Sequence, residues 1–384
     1  MSANAPQISG KLLDWYDRHA RDLPWRVGPT EAAAGKRADP YKVWLSEIML
    51  QQTTVAAVKE YFLKFTSLWP TVHDLAAASE EDVLKAWAGL GYYSRARNLK
   101  KCADIVVAKY GGVFPSDLDA LRELPGIGDY TSAAIASIAF NIPAPVVDGN
   151  VERVFSRLYA IDTPLPKAKV EIKGKVALEL SNERPGDFAQ ACMDLGATLC
   201  TPKRPSCLPC PLRDDCAALA HYDPEHFPVK APKKAKPVRV GAAFVIERED
   251  SSILVEKRLG AGLLANMTQV PTTDWNSRQD GDTTTDASPL PNETWLRCGE
   301  IEHVFTHFTL RLTVWRHVIS ADEISLTVNQ WWSMRDDVFD EALPTVMKKV
   351  LECALSKENI GEFNGRHKTH STHRVRHRTS AHTL

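Results

Sequence analysis

Apolar residues return every three or four positions through most of the first 222 residues, the repeat of helices with one buried face. The spacing predicts helices over 41–52, 55–65, 80–87, 94–109, 131–140, 151–160 and 168–182 within a mainly helical unit, 8–222. Proline and glycine punctuate the intervals, as in GGVFPSD and NIPAPVVDGN. The period then changes to two. Strands are predicted over 241–248, 251–258, 305–315 and 325–332, and a helix over 341–355 closes a small α+β unit, 240–358. Between the units, DPEHFPVKAPKKAKPVR (223–239) has four prolines and five Lys/Arg, the composition of an extended basic linker. Residues 359–384 end in a stretch rich in histidine and arginine. It predicts a disordered tail, with a metal-binding or DNA-touching arm as the sharper alternative.

Composition narrows the class. A chain of 384 residues is long for one domain and comfortable for two. The formal net charge of −1 argues against a uniformly basic nucleic-acid binder but leaves room for a local basic face. No apolar run reaches the roughly 18 residues of a membrane span, and the first residues lack the apolar core of a signal peptide. A cytoplasmic protein with no membrane partner is therefore expected. Four of the eight cysteines fall within 200–216, which in a reducing compartment suggests metal ligation before disulfides.

Four short stretches carry candidate chemistry. LPGIGDYTSAA (124–134) reads as a tight turn opening a helix. Gly126 and Gly128 leave the backbone bare beside a helix N-terminus, a natural phosphate site. Cys200, Cys207, Cys210 and Cys216, separated by six, two and five residues, supply four thiolates for a zinc ion or a four-iron cluster. Lys203, Arg204 and Arg213 make that loop positive, which suits phosphate contact. Asp148, in VVDGNVERV, precedes a helix; it reads as an N-cap whose amides and dipole favour the charged carboxylate. Glu47 is one acid among Val43, Trp44, Ile48 and Met49. It either points to solvent or faces a closed pocket, where desolvation would raise its pKa and suit it to proton donation. One carboxylic acid and one carboxylate form the pattern of glycoside cleavage.

The turn followed by a small-residue helix resembles the helix-hairpin-helix element of DNA glycosylases, and the cysteine spacing resembles their endonuclease III branch. SEIMLQQT, GLGYYSRARNL, LPGIGDYT, VDGNVERV and the cysteine loop together resemble the MutY-type adenine DNA glycosylases, closely over roughly residues 10–225 and more weakly through GLLANM and HVFTHF. The resemblance implies a [4Fe-4S] cluster on the four cysteines, with a structural role. It implies a monomeric repair enzyme that acts on double-stranded DNA and releases adenine mispaired with 8-oxoguanine or guanine. It assigns proton donation to Glu47 and stabilisation of the sugar cation to Asp148. Tyr130 stands where bifunctional relatives carry a lysine, so base removal without strand cleavage is implied, with Tyr130 ordering Asp148 or the sugar. Gln52 and Tyr92 match residues that wedge into the duplex. Gln190 matches an adenine contact, Asn150 a neighbour of the catalytic aspartate, and Trp25 and Arg26 positions near the pocket.

The second unit resembles the Nudix-like C-terminal domain of the same family. Phe305, Thr306 and His307 occupy the place of its Phe-Ser-His loop, so a hydroxyl persists but gains a methyl. No Nudix metal-binding box is visible between 259 and 300, which speaks against pyrophosphatase activity. The polar stretch 273–292 departs from the family and puts its usual helix there in doubt, and 27–39 reads as an insertion without obvious chemistry. The rivals are an iron–sulfur glycosylase for thymine or damaged pyrimidines and a non-catalytic DNA-binding iron–sulfur protein.

Overall fold

The computed structural model describes residues 7–232, 235–260, 263–320 and 324–356. The tail 359–384 lies outside them. The chain divides between residues 233 and 234 into two compact units.

The first unit is helical. Helices α1 (Gln7–His19), α2 (Pro29–Ala33) and α3 (Pro40–Leu50) open it. Asp39 caps α3 by accepting from the Tyr41 amide, and Pro40 supplies a helical φ at the first position. Every residue of α3 from Val43 to Met49 is buried, so α3 runs through the interior rather than over it. Helices α4 (Val55–Leu68), α5 (Val72–Ala77), α6 (Glu80–Trp87) and α7 (Ser94–Tyr110) pack around its outer half. There the ring of Phe65 meets Trp87 edge-on at 5.8 Å, and Trp44 meets Phe114 at 5.2 Å.

The short α8 (Leu118–Arg122) leads through the glycine turn into α9 (Asp129–Phe140). Helices α10 (Gly149–Leu158), α11 (Lys169–Glu179), α12 (Pro185–Thr198) and α13 (Ala217–His221) complete the unit. A second core forms where α1, α9, α10, α11 and α12 bury Leu12, Tyr16, Ala134, Phe155, Ile172 and Phe188. Helix α12 lies close on α10 because residue 196 is glycine; a Cβ there would stand 2.6 Å from the Asn150 Cβ.

The second unit is a mixed sheet under one helix. Its strands are β1 (Val238–Arg248), β2 (Ser252–Lys257), β3 (Thr268–Gln269), β4 (Leu296–Val304), β5 (Thr309–Ile319) and β6 (Gln330–Met334). Their order is β3-β2-β1-β5-β4, with β6 also paired to β2. Strands β1 and β5 run parallel, Val238 opposite Thr309 through Arg248 opposite Ile319. Helix α14 (Thr345–Ala354) covers one face with Val346, Met347, Val350 and Leu351, while Phe244, Leu254 and Trp295 fill the other. Burial on both faces explains why β1 reads as the unbroken apolar run GAAFVI.

Several expectations change, among them the strand expected over 325–332, which begins only at Gln330 as β6. The linker is shorter than 223–239: Phe227 is buried, Val229 accepts from the Leu165 amide, and β1 begins at Val238. The strand expected over 305–315 starts at Thr309, because residues 305–308 form the turn of the β4–β5 hairpin. Strand β4 carries no continuous apolar signal, since it is an edge strand alternating half-buried and exposed positions. No helix occurs within 273–292.

Candidate active site

A cavity of about 840 Å³ opens where α3 ends and α9 and α10 begin, with α12 behind it. Its size falls within the range of small-ligand sites. Helix α3 contributes Glu47, α9 contributes Tyr130, the start of α10 contributes Asp148 and Asn150, and α12 contributes Gln190. Trp25, Arg26, Gln52, Gly126 and Gly128 line it as well. The fold thus gathers around one cavity most of the residues that sequence comparison selects in this unit.

Glu47 is only 6% exposed. Burial pushes its carboxyl up to about 7, and the nearby Asp148 charge pushes the same way; a hydrogen bond from Tyr130 and the Arg26 charge oppose them. Tyr130 Oη donates to Glu47 Oε2 at 2.6 Å. The tyrosine therefore orders Glu47, where the sequence pointed to Asp148 or the sugar. The reason is tertiary: α3 packs against α9, and no local pattern links positions 47 and 130.

Asp148 sits in a different environment. Its carboxylate accepts from the amides of Asn150 and Val151 at 2.9 and 2.7 Å, and from Asn150 Nδ2 at 2.9 Å. It is the N-cap of α10, and the cap faces the cavity. Asn150 is held in turn by Arg153, whose Nη2 donates to Asn150 Oδ1 at 2.9 Å and to the Gly196 carbonyl at 2.7 Å. Arg153 Nε reaches the Cys200 carbonyl at 2.8 Å. Arg26 points into the interior, its side chain 7% exposed. It and Arg21 both bind the fully buried Asp194, with contacts of 2.6–2.9 Å.

The glycine turn faces the same cavity. Gly126 takes φ +80, a left-handed conformation that side chains disfavour. Gly128 is extended, with open space where its Cβ would be. Gly128, the N-cap of α9, has no side chain to bond the first amides, which suits a helix start that receives an outside acceptor. Tyr92 does not line the main cavity. It stands 44% exposed beside an adjoining one of about 280 Å³, and Gln52 lines both.

The HhH-GPD superfamily base excision DNA repair protein family matches residues 45–179, and the NUDIX domain family matches 242–353. The human adenine DNA glycosylase is 36% identical over 405 residues, covering 91% of this chain and 74% of its own. The chain belongs to the adenine DNA glycosylase family. A Buchnera aphidicola (Schizaphis graminum strain) adenine DNA glycosylase is 31% identical over 363 residues, covering 90% of this chain and 98% of its own. Among solved structures, a thermostable thymine-DNA glycosylase aligns at TM-score 0.49 and 29% identity, over 56% of this chain and 95% of that one.

In the helical unit, the four cysteines of the 200–216 loop line one small cavity. Arg157, buried beneath them, donates from Nη1 to Cys200 Sγ at 3.3 Å. Among the described residues, no three His, Cys, Asp or Glu side chains gather tightly enough for a single metal ion. One tetrahedral zinc needs its sulfurs roughly 3.8 Å apart, from Zn–S bonds of about 2.3 Å. A four-iron cube instead binds each thiolate through a different iron and spreads them wider. Four thiols around one cavity supply the donor chemistry of either centre.

In the glycosylase's second unit, Thr306 and His307 are exposed at the tip of the β4–β5 hairpin. Phe305 packs inward, stacked on Phe308 at 4.8 Å and edge-on to His303 at 4.6 Å. Pattern reasoning gives no role to Asp194, Arg153 or Arg95. Asp194, an acid inside ACMDLGA, carries the same signal that singles out Glu47.

Proposed function

We propose that this DNA glycosylase removes adenine mispaired with 8-oxoguanine or guanine by hydrolysing its N-glycosidic bond, leaving the strand intact. The observation that carries the reading is one cavity holding two carboxyls in opposite surroundings: Glu47 buried and pushed up to about 7, Asp148 ringed by three N–H donors. The amides at Gly128 hold a DNA phosphate while the adenine is extruded into the cavity. Glu47 gives its proton to the departing adenine. The sugar becomes cationic as the bond breaks, and the Asp148 carboxylate stabilises it across the cavity. The Glu47 carboxylate then takes a proton from the water that adds to the sugar.

Tyr130 has no amine to attack the sugar, which supports a monofunctional enzyme. Lys169 also lines the cavity, but its Nζ is tied to Glu152 at 2.7 Å. Cys200, Cys207, Cys210 and Cys216 are proposed to hold a [4Fe-4S] cluster. When bound, it orders the loop that also receives Arg153 and Arg157. Thr306 and His307 are proposed to sense the C8 carbonyl and N7 hydrogen of 8-oxoguanine. The enzyme is proposed to work as a monomer on duplex DNA in the cytoplasm.

The deciding assay is base release from A:8-oxoguanine, A:G, T:G and A:T duplexes. Adenine release from the first two, intact abasic strands and little borohydride trapping are expected. Release of thymine alone would overturn the substrate, and efficient trapping abolished by Lys169→Ala would overturn the monofunctional assignment.

A further inference from the structure

Arg95, on the first turn of α7, is a buried cation whose hydrogen-bond acceptors among the described residues are all neutral oxygens. Its Nη1 donates to the carbonyls of Ile48, Met49 and Gln51 at 2.9, 3.0 and 2.6 Å. Its Nη2 donates to the carbonyls of Leu90 and Gly91 at 3.0 and 3.2 Å and to Thr53 Oγ1 at 3.3 Å. The Nε–H is buried without an acceptor among the described residues. The guanidinium also lies 5.1 Å from the Trp87 ring and 5.6 Å from the Tyr92 ring. A helix C-cap accounts for the bonds to Ile48 and Met49, but not for the reach to the loop that precedes α7.

Each bound loop carries a side chain in the left-handed region: Gln52 at φ +58 and Tyr92 at φ +48. Neither is a residue that prefers this conformation, so the surroundings must impose it. Both side chains flank the cavity beside the base pocket, whose lining also includes Arg95, Asn98 and Gly126. An exposed tyrosine is a stacking surface for a base, and an adjacent amide can bond a base edge.

We propose that Arg95 is a positioning residue for base extrusion: its guanidinium clamps the 51–53 and 90–92 loops together, so that Gln52 and Tyr92 enter the duplex as one rigid pair. Arg95 touches neither base nor sugar and acts through those two side chains. The proposal rests on the reading of this cavity as an adenine-excision site.

The test places 2-aminopurine at the target adenine, opposite guanine, and follows its fluorescence rise as extrusion, beside single-turnover adenine excision from an A:G duplex. Arg95→Lys keeps the charge but replaces the two-sided fork with a single ammonium. Arg95→Met removes both; if it fails to fold, Arg95→Lys carries the test. Extrusion and excision are expected to slow together by about tenfold or more, with duplex affinity changed less than about threefold. In a Tyr92→Ala background the Arg95→Lys change is expected to cost less than about twofold, because the pair it holds together is already broken. Unchanged extrusion with slowed excision, or losses that multiply in the double variant, would overturn the clamp while leaving the proposed activity standing. A wild-type enzyme that releases no adenine from any duplex would overturn the activity, and the clamp with it.

Discussion

Glu47 serves as an acid only while it holds its proton, and its surroundings set when that is. With the folded carboxyl near 7, single-turnover adenine release is expected to be flat below that pH and to fall about tenfold per unit above it. Glu47→Gln should lose this limb along with at least about a hundredfold in rate. The same shift acts on stability. Because the folded value is raised above the ordinary 4.5, the stabilisation from protonation is complete below about 4.5 and is lost as pH rises through about 7. Glu47→Gln is therefore expected to melt higher than wild type at pH 8, by up to about 3 kcal/mol, and close to it at pH 4.5. Tyr130→Phe removes a hydrogen bond that favours the charged carboxylate, so the falling limb should move to higher pH; a limb that stays put would show that the contact of Tyr130 does not tune the acid. Glu47 and Asp148 were legible because each breaks a local pattern, an acid in an apolar helix and an aspartate before a helix start. The Tyr130–Glu47 and Arg26–Asp194 contacts were not. They join segments 83 and 168 positions apart, and no local spacing records that.

At the scale of elements, α12 decides how firmly the aspartate is held. Its Gly196 lies where any side chain would displace Asn150, the donor to Asp148 and acceptor from Arg153. Gly196→Ala is expected to destabilise the protein by about 1–3 kcal/mol through overpacking, measured by denaturant melting. It should slow adenine excision more than it weakens duplex binding, because the phosphate-binding turn at Gly126 and Gly128 belongs to other elements. Equal loss of both would point to general unfolding instead. The longer amphipathic helices were legible from their period, and α6 falls on 80–87 as expected. The edge strand β4 and the turn of residues 305–308 were not, because half-exposed strands and hairpin tips lack a sustained apolar alternation.

At the scale of the whole molecule, the near-neutral net charge left DNA binding undecided, and the boundary between units was only partly legible. Prolines and lysines mark a linker, but composition does not reveal that its first part is anchored. Leu165 and Lys230 form a β-bridge, Phe227 is 4% exposed, and its carbonyl accepts from the buried Arg157 at 3.2 Å. A cut after Pro232 therefore leaves the helical unit with its own packing, whereas a cut after Tyr222 strips Phe227 away and leaves Arg157 short of an acceptor. The shorter fragment is expected to melt lower than the longer one, and to do so with the cysteine loop, since Arg157 also bonds Cys200 and Thr201. The fragment ending at Pro232 keeps every residue of the excision cavity and loses Thr306 and His307. Its single-turnover excision from A:G is expected to stay within about threefold of the full chain. Its preference for A:8-oxoguanine over A:G should fall by roughly tenfold to hundredfold, the worth of one or two polar contacts to a base at about 1–3 kcal/mol each. Thr306→Ala with His307→Ala in the full chain should lower the same ratio more mildly, because the rest of the second unit remains. A ratio left intact by the truncation would assign lesion reading to the helical unit alone.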